Sequence, residues 1–384
     1  MLVGVRHERL PNEKRVALVP ASVEHLVSRG HDVVVEHDAG AQAGYDNGAY
    51  EAAGATIGDA AAAAAADISV GVRPPSDAHL DAIREGSWQL APFDPLWDSV
   101  PAAAVANAGA AVFSLDLVPR TTKAQTMDVL SSMATIAGYE AVLLAASNLP
   151  RLFPMLTTAA GTLPPARALV LGAGVAGLQA IATARRLGAV VSGYDIRPAA
   201  AEQIRSVGAK SIELELETGT SEDAGGYATA QSADTGARQQ DLLAPHVADA
   251  DVLITTAAIP GRASPLLVTS EMVAGMGPGG VVIDLAAERG GNVEPSQADV
   301  LVDHGGVTIL GPTDLPSRAP SHASLMFANN VVKFLDHAFE VSDGLIPDRD
   351  DEILGPMLVA LGGSLVHPAL VDADPENTPP EEEH

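Results

Sequence analysis

An α/β protein of two parallel-sheet domains is what this sequence predicts, and three observations carry the prediction. Short apolar runs alternate with helical stretches from the first residues onward. The alternation begins afresh at Ala168, after prolines at Pro150, Pro154 and Pro164-Pro165. The 384 residues, 47% of them hydrophobic, suffice for two buried cores. In the N-terminal stretch, Leu2–Val5, Asp32–Glu36, Ile68–Val72 and Val112–Leu117 read as strands. Pro20–Arg29 reads as a helix closed by Gly30, and Tyr50–Gly54 as the end of another. From Thr126 to about Ser147 a helix, apolar on most faces, carries the chain onward.

The stretch beyond it gives strands Ala168–Leu171, Val190–Tyr194, Ser211–Leu214, Asp251–Thr255, Val281–Asp284 and Val307–Leu310. Helices start near Val175, Ala199 and Glu271, and a last one runs from Pro320 through Phe334 to Glu340, returning to the first domain. Expected domains are residues 1–130 with 322–370, and residues 140–315. Residues 371–384 are acidic and proline-rich, which predicts a disordered tail. Glu217–Gln240 has almost no large apolar residues. So long a loop inside a compact domain predicts a mobile lid. Two domains joined by two crossing segments imply a cleft, faced by the lid and by the turn after Leu171.

That turn reads Gly172-Ala-Gly-Val-Ala-Gly177 between an apolar strand and a helix, with Asp195 at the end of the next strand. This is the dinucleotide fingerprint in its structural context, so both domains are expected to be Rossmann-like. Gly172 makes the tight turn, Gly174 lets a pyrophosphate approach the backbone, and Gly177 allows close helix packing. The helix N-terminus offers N–H groups and positive dipole to phosphate. Asp195 accepts from ribose hydroxyls and repels a 2′-phosphate, which favours NAD over NADP.

Composition excludes several classes. The 49 acidic against 22 basic residues give a net charge of −27, which argues against a nucleic-acid partner. Only Lys14, Lys123, Lys210 and Lys333 are lysines, and so acidic a surface suits high salt and a salt-loving source. With no cysteine there are no disulfides or thiolate metal sites. No run of eighteen strongly apolar residues is apparent, so no membrane insertion is expected. No signal peptide is expected ahead of Leu2–Val5, and the location is read as cytoplasmic. His7, His25, His31, His304, His322 and His337 lack ligand spacing. Asp284 with Glu288 reads as a capped turn at Gly290-Gly291, and no metal is expected.

Arg120 to Ser131 sets Arg120, Gln125, Asp128 and Ser131 where a loop becomes a helix. Three-residue spacing puts Gln125, Asp128 and Ser131 roughly on one helical face. Taken with Gly172–Gly177, Asp195-Ile-Arg197, Gly225-Gly-Tyr-Ala228, Thr255-Thr-Ala-Ala-Ile-Pro-Gly261, Asp284–Asn292 and Pro316-Ser-Arg318, this segment resembles proton-translocating NAD(P) transhydrogenase. The likeness is to its soluble NAD(H)-binding component when that is a separate alpha subunit, within the alanine dehydrogenase/transhydrogenase superfamily. It spans residue 1 to about 370.

The resemblance implies that this chain binds NAD(H) and passes hydride to NADP⁺ held on another subunit, coupled to proton movement through a membrane-spanning subunit. Arg120, Gln125 and Asp128, supported by Ser131, would meet the nicotinamide end. Gly172, Gly174, Val175, Ala176 and Gly177 would lie against the dinucleotide, with Lys123, Thr256 and Ala258 also at the cofactor. Asp195, Ile196 and Arg197 would hold the adenosine ribose side, and Gly226 and Tyr227 would close the lid. Ala258 stands where the family often has leucine. The family also suggests a homodimer, peripheral at the inner face of the cell membrane through its partners.

A soluble NAD-dependent alanine (amino-acid) dehydrogenase is the alternative, since that family shares the two-domain plan and the segment Arg15-Val-Ala-Leu-Val-Pro20. There the matching arginine binds substrate carboxylate, and a lysine and a histidine transfer protons. Here Val72-Arg73-Pro74 replaces the lysine, and Leu90-Ala-Pro-Phe-Asp-Pro95 offers no histidine. Arg15 then reads as a structural partner of Glu13 or another carboxylate. An NAD-sensing module without catalysis is a third reading.

Overall fold

The computed structural model describes residues 1–214 and 233–371. The chain divides into two compact units, Met1–Met133 with Ser317–His384, and Ala134–Pro316.

The second unit is a seven-stranded sheet. Its strands Arg167–Leu171, Val190–Tyr194, Lys210–Ser211, Val252–Thr255, Val281–Asp284 and Val307–Leu310 are parallel and lie in the order third, second, first, fourth, fifth, sixth. Leu301–His304 adds an antiparallel edge. The central strands are apolar along their whole length because both faces are covered. Alternation assigns the faces. Ala168, Val170, Val252 and Ile254 pack with Ile181 and Ala184 of helix Val175–Arg186 and with Ala141, Val142 and Ala145. Leu169, Leu171 and Leu253 pack with Leu243 and Val247 of helix Ala233–Ala248.

The first unit repeats the strand order. Leu2–Val5, Asp32–Glu36, Thr56–Gly58, Ile68–Val70, Trp88–Ala91 and Ala111–Ser114 are parallel in the same third-second-first-fourth-fifth-sixth sequence. Leu358–Leu361 and Ser364–Leu365 extend it antiparallel. Helix Pro320–Val341 brings Phe327, Val331, Phe334 and Leu335 into the core of this unit, against Val3, Val5, Trp88 and Phe113.

Residues 217–232 of the expected lid, including Gly226 and Tyr227, and the tail from residue 372 lie outside the described residues. Residues 233–240 are no loop: they form the first half of helix Ala233–Ala248, whose Gln239 Nε2 donates to the buried Tyr194 hydroxyl at 3.1 Å. Strands Thr56–Gly58, Trp88–Ala91 and Leu301–His304 escape sequence reading because they are short or carry polar residues. In Trp88–Ala91 the fully buried Gln89 is tolerated because its Oε1 accepts from Arg6 at 3.1 Å. The helix Val129–Asn148 does meet the length and apolarity needed to cross a membrane, with a hydropathy of 1.5. Its Ala141, Val142 and Ala145 are fully buried in the second unit's core, which accounts for part of that apolarity.

The first unit has no glycine turn after its first strand. The segment that follows Val5 instead carries buried charge. Arg6, 1% exposed, donates to Ser69 Oγ at 3.0 Å, Gln89 Oε1 at 3.1 Å and the Arg73 carbonyl at 3.1 Å. Arg15 donates through Nε and Nη2 to Glu13 at 2.7 and 2.6 Å. Arg73 Nε and the Ser317 hydroxyl donate to the same carboxylate at 3.0 and 2.6 Å. Burial acts to raise the Glu13 pKa, but the bonds from Arg15, its charge, Ser317 and Arg73 hold it at about 2. Glu8 has no such fork. Burial pushes its pKa up to about 7, against the Arg6 charge and a 2.6 Å bond from the Val72 N–H.

The two carboxylates therefore act on stability with opposite sign. Glu13 contributes above the ordinary value of 4.5, a contribution lost as pH falls toward 2. Glu8 holds its proton longer when folded, so its contribution is full below 4.5 and is lost as pH rises through about 7. Glu8→Gln is expected to raise stability relative to the native chain more at pH 8 than at pH 5, read by urea unfolding. An equal change at both pH values would refute the assignment.

Candidate functional site

In an open parallel sheet, ligands bind beyond the carboxyl ends of the strands where the strand order reverses. In the second unit this point lies between Arg167–Leu171 and Val252–Thr255. Gly172–Gly177 and Thr256–Ala258 follow directly from these strands, and Asp195 ends the neighbouring one.

The glycines separate by role. Gly172 has φ +98, which favours glycine, and a Cβ there would sit 2.5 Å from Thr256 Oγ1. A Cβ on Gly177 would meet the Gly172 carbonyl oxygen at 1.9 Å. Gly177 therefore lets the helix close on the turn itself, a finer reason than packing on the sheet. Gly174 differs from both. It caps helix Val175–Arg186 with φ −72 and ψ −168, and a Cβ there would meet nothing within 4 Å. The protein's own packing gives no reason for glycine here. Open space ahead of a helix N-terminus suits an approaching phosphate.

The turn is pinned from both sides. The Ala173 N–H donates to Asp195 Oδ2 at 2.7 Å, and the Thr256 hydroxyl donates to the Gly172 carbonyl at 3.1 Å. Asp195 is also gripped by Arg197, whose Nε reaches Oδ1 and whose Nη2 reaches Oδ2, both at 2.9 Å. Val175 and Ala258 are exposed. The loop after Thr255 is shaped from beneath by Asn292, whose side chain accepts from the Ala257 N–H at 3.0 Å and donates to the Ala257 and Pro265 carbonyls at 2.8 Å. In the sequence Asn292 enters only as the last residue of the Asp284–Asn292 segment, and no spacing marks its bonds to Ala257 and Pro265. Asp284, fully buried, accepts from the Thr255 hydroxyl and from the N–H groups of Ala286, Asn292 and Val293. Its lone pairs are thus committed to the turn, and Glu288 is exposed. Among the described residues no three His, Cys, Asp or Glu gather as a metal site.

In the first unit, Arg120, Lys123 and Gln125 are exposed while Ala124, Met127 and Val129 are buried in the core. Asn330 Nδ2 donates to the Thr126 carbonyl at 2.7 Å and fastens the loop. Lys123 pairs with Glu352 at 2.8 Å. The expected single helical face is not formed. Gln125 lies in the 3-10 turn Gln125–Met127, and Asp128, extended at ψ 93, separates that turn from helix Val129–Asn148. Asp128 instead caps the helix, accepting from the Ser131 N–H at 2.9 Å and its hydroxyl at 2.6 Å.

Two units share a dinucleotide-fold strand order, and one of them carries a phosphate-ready glycine turn with an acid beside it. The class so defined is a two-unit dinucleotide-binding protein. Comparison with known proteins narrows it. Residues 4–137 match the alanine dehydrogenase/PNT N-terminal domain and residues 141–368 its C-terminal domain. The chain is 42% identical over 379 residues to an NAD(P) transhydrogenase alpha-subunit chain of Rhodospirillum rubrum, covering 96% of this chain and 99% of that one. It is 45% identical to the solved transhydrogenase of Sinorhizobium meliloti, with a TM-score of 0.83, covering 96% of this chain and 100% of the other. A solved L-alanine dehydrogenase matches at 25% identity and a TM-score of 0.81, covering 98% and 99%. The chain belongs to the alanine dehydrogenase/PNT family, and within it to the NAD(P) transhydrogenase alpha subunits.

The glycine geometry has a direct test. Gly177→Ala is expected to lower the melting temperature sharply, because the new methyl meets backbone. Gly174→Ala is expected to cost no more than about 1 kcal/mol, the N-cap preference for glycine over alanine, while weakening dinucleotide binding. Comparable losses of stability in both variants would remove the argument that Gly174 is kept for a ligand.

Proposed function

We propose that this chain is the NAD(H)-binding subunit of a proton-translocating NAD(P) transhydrogenase. It holds NAD(H) on its second unit and delivers hydride to NADP⁺ carried by a partner subunit. The observation that carries the reading is Gly174, whose missing side chain the protein's packing does not require, at a switch point flanked by Asp195. NAD(H), when bound, supplies the hydride chemistry. The chain's residues bind, orient and exclude water. The helix N-terminus at Gly174–Gly177 and the neighbouring Val175 and Ala176 are proposed to receive the pyrophosphate. Asp195 and Ile196 are proposed to hold the adenosine ribose with Arg197 beside it, and Thr256 and Ala258 are proposed to lie along the opposite wall. Arg120, Lys123, Gln125, Asp128 and Ser131 are proposed for the nicotinamide end, and Gly226 and Tyr227 for closure.

The same reading supplies its partners: an NADP(H)-binding subunit, a membrane-spanning subunit and a second copy of this chain. Location at the inner face of the cell membrane and Si/Re stereospecificity go with it. The amino-acid dehydrogenase alternative finds less support. Arg15, which would have to receive a substrate carboxylate, already has its fork filled by Glu13, itself held by Arg73 and Ser317.

The test is reconstitution. The chain with NADH is expected to reduce an NADP⁺ analogue only when the NADP-binding subunit is added. NAD-dependent oxidation of alanine by the chain alone would overturn the reading. In the reconstituted system Gln125→Asn is expected to slow hydride transfer more than it weakens NADH binding. Equal losses would make Gln125 a plain binding residue.

A further inference from the structure

The Asp195 carboxylate has no acceptor position left. Oδ1 accepts from the Arg197 N–H and from Arg197 Nε, both at 2.9 Å. Oδ2 accepts from the Ala173 N–H at 2.7 Å and from Arg197 Nη2 at 2.9 Å. An ionised carboxylate offers about four lone-pair sites, so all are filled, three of them by one residue. The pair is also shielded, with side chains 7% and 19% exposed. Ribose hydroxyls cannot simply be added to this arrangement. Donors must leave first. The Ala173 N–H is fixed by the glycine turn, and the Arg197 N–H by the chain leaving the strand. The guanidinium stands on a flexible stem and is the donor that can go.

We propose that Arg197 is a gate on the ribose position. Its fork closes over Asp195 until the dinucleotide arrives, and the ribose hydroxyls displace it. Once displaced, it stands beside the ribose as a cation. The proposal rests on the NAD(H) reading of the second unit and deepens it. Two effects of opposite sign follow. For NADH the fork is a competitor, and a charge-assisted bidentate pair is a strong one. For a nucleotide with a 2′-phosphate the displaced guanidinium offsets the repulsion from Asp195. Arg197, not Asp195 alone, then sets how far the site prefers NADH over NADPH.

Calorimetric titration of the whole chain with NADH and with NADPH tests this, using Arg197→Gln and Arg197→Lys beside the native chain. Arg197→Gln is expected to bind NADH several-fold more tightly and to widen its preference over NADPH by about tenfold. Arg197→Lys keeps the charge but not the fork. It is expected to share the gain for NADH without losing NADPH, and it supplies the answer if the glutamine variant melts early. Weaker NADH binding by both variants, or an unchanged NADH-to-NADPH ratio in both, overturns the gate. A native chain that binds neither nucleotide overturns the underlying reading instead.

Discussion

The second unit's site depends on one close approach, that of Gly177 to the carbonyl oxygen of Gly172. A methyl group at Gly177 would stand 1.9 Å from that oxygen. The helix can therefore begin only as tightly after the strand as it does because Gly177 has no side chain. That tightness turns the helix N-terminus toward the switch point and leaves Gly174 facing open space. The Asp195 bond to the Ala173 N–H then fixes the turn from the next strand. One carboxylate so sets the shape of the turn, and three of the four bonds it accepts come from Arg197.

The two units show what a shared strand order does and does not decide. Both run third, second, first, fourth, fifth, sixth, so both have a switch point. In one, the first strand meets a glycine turn that leaves backbone N–H groups for a ligand. In the other, it meets a segment whose arginines and glutamates satisfy one another. Buried charge is stable only when paired or hydrogen-bonded, and the fork of Arg15 on Glu13, backed by Arg73 and Ser317, meets that condition internally. The two units thus carry different loop chemistry on a common frame.

The Arg120–Ser131 segment follows a third strategy. Its apolar residues are spent on anchorage, with Ala124, Met127 and Val129 in the core and Asn330 tying down the Thr126 carbonyl. The polar residues between them are left outward. A loop held this way presents Arg120 and Gln125 from an anchored base.

Much of this was legible in the sequence because it is local. Glycine spacing, strand apolarity and the acid after the second strand are fixed within short stretches, and they determined the α/β class and the dinucleotide turn, while the family came from a resemblance that also needed Arg120–Ser131, Thr255–Gly261 and Asp284–Asn292. Arg15 with Glu13 could be read as neighbours for the same reason. What the tertiary structure decided are pairings distant in the chain. Gln89 can lie in a buried strand because Arg6 donates to its amide oxygen and its amide nitrogen donates to the Ala64 carbonyl and the Ser87 hydroxyl, so a strand that looks too polar is formed. Asn292 shapes the site from 35 residues beyond the backbone it binds. Gln125 and Asp128 leave the common helical face that their spacing suggests, because capping the helix N-terminus claims Asp128. Asp195 is saturated because the turn, the strand end and Arg197 converge on it in three dimensions. A spacing rule records which residues are present, but hydrogen-bond capacity is consumed by neighbours that only the fold brings together.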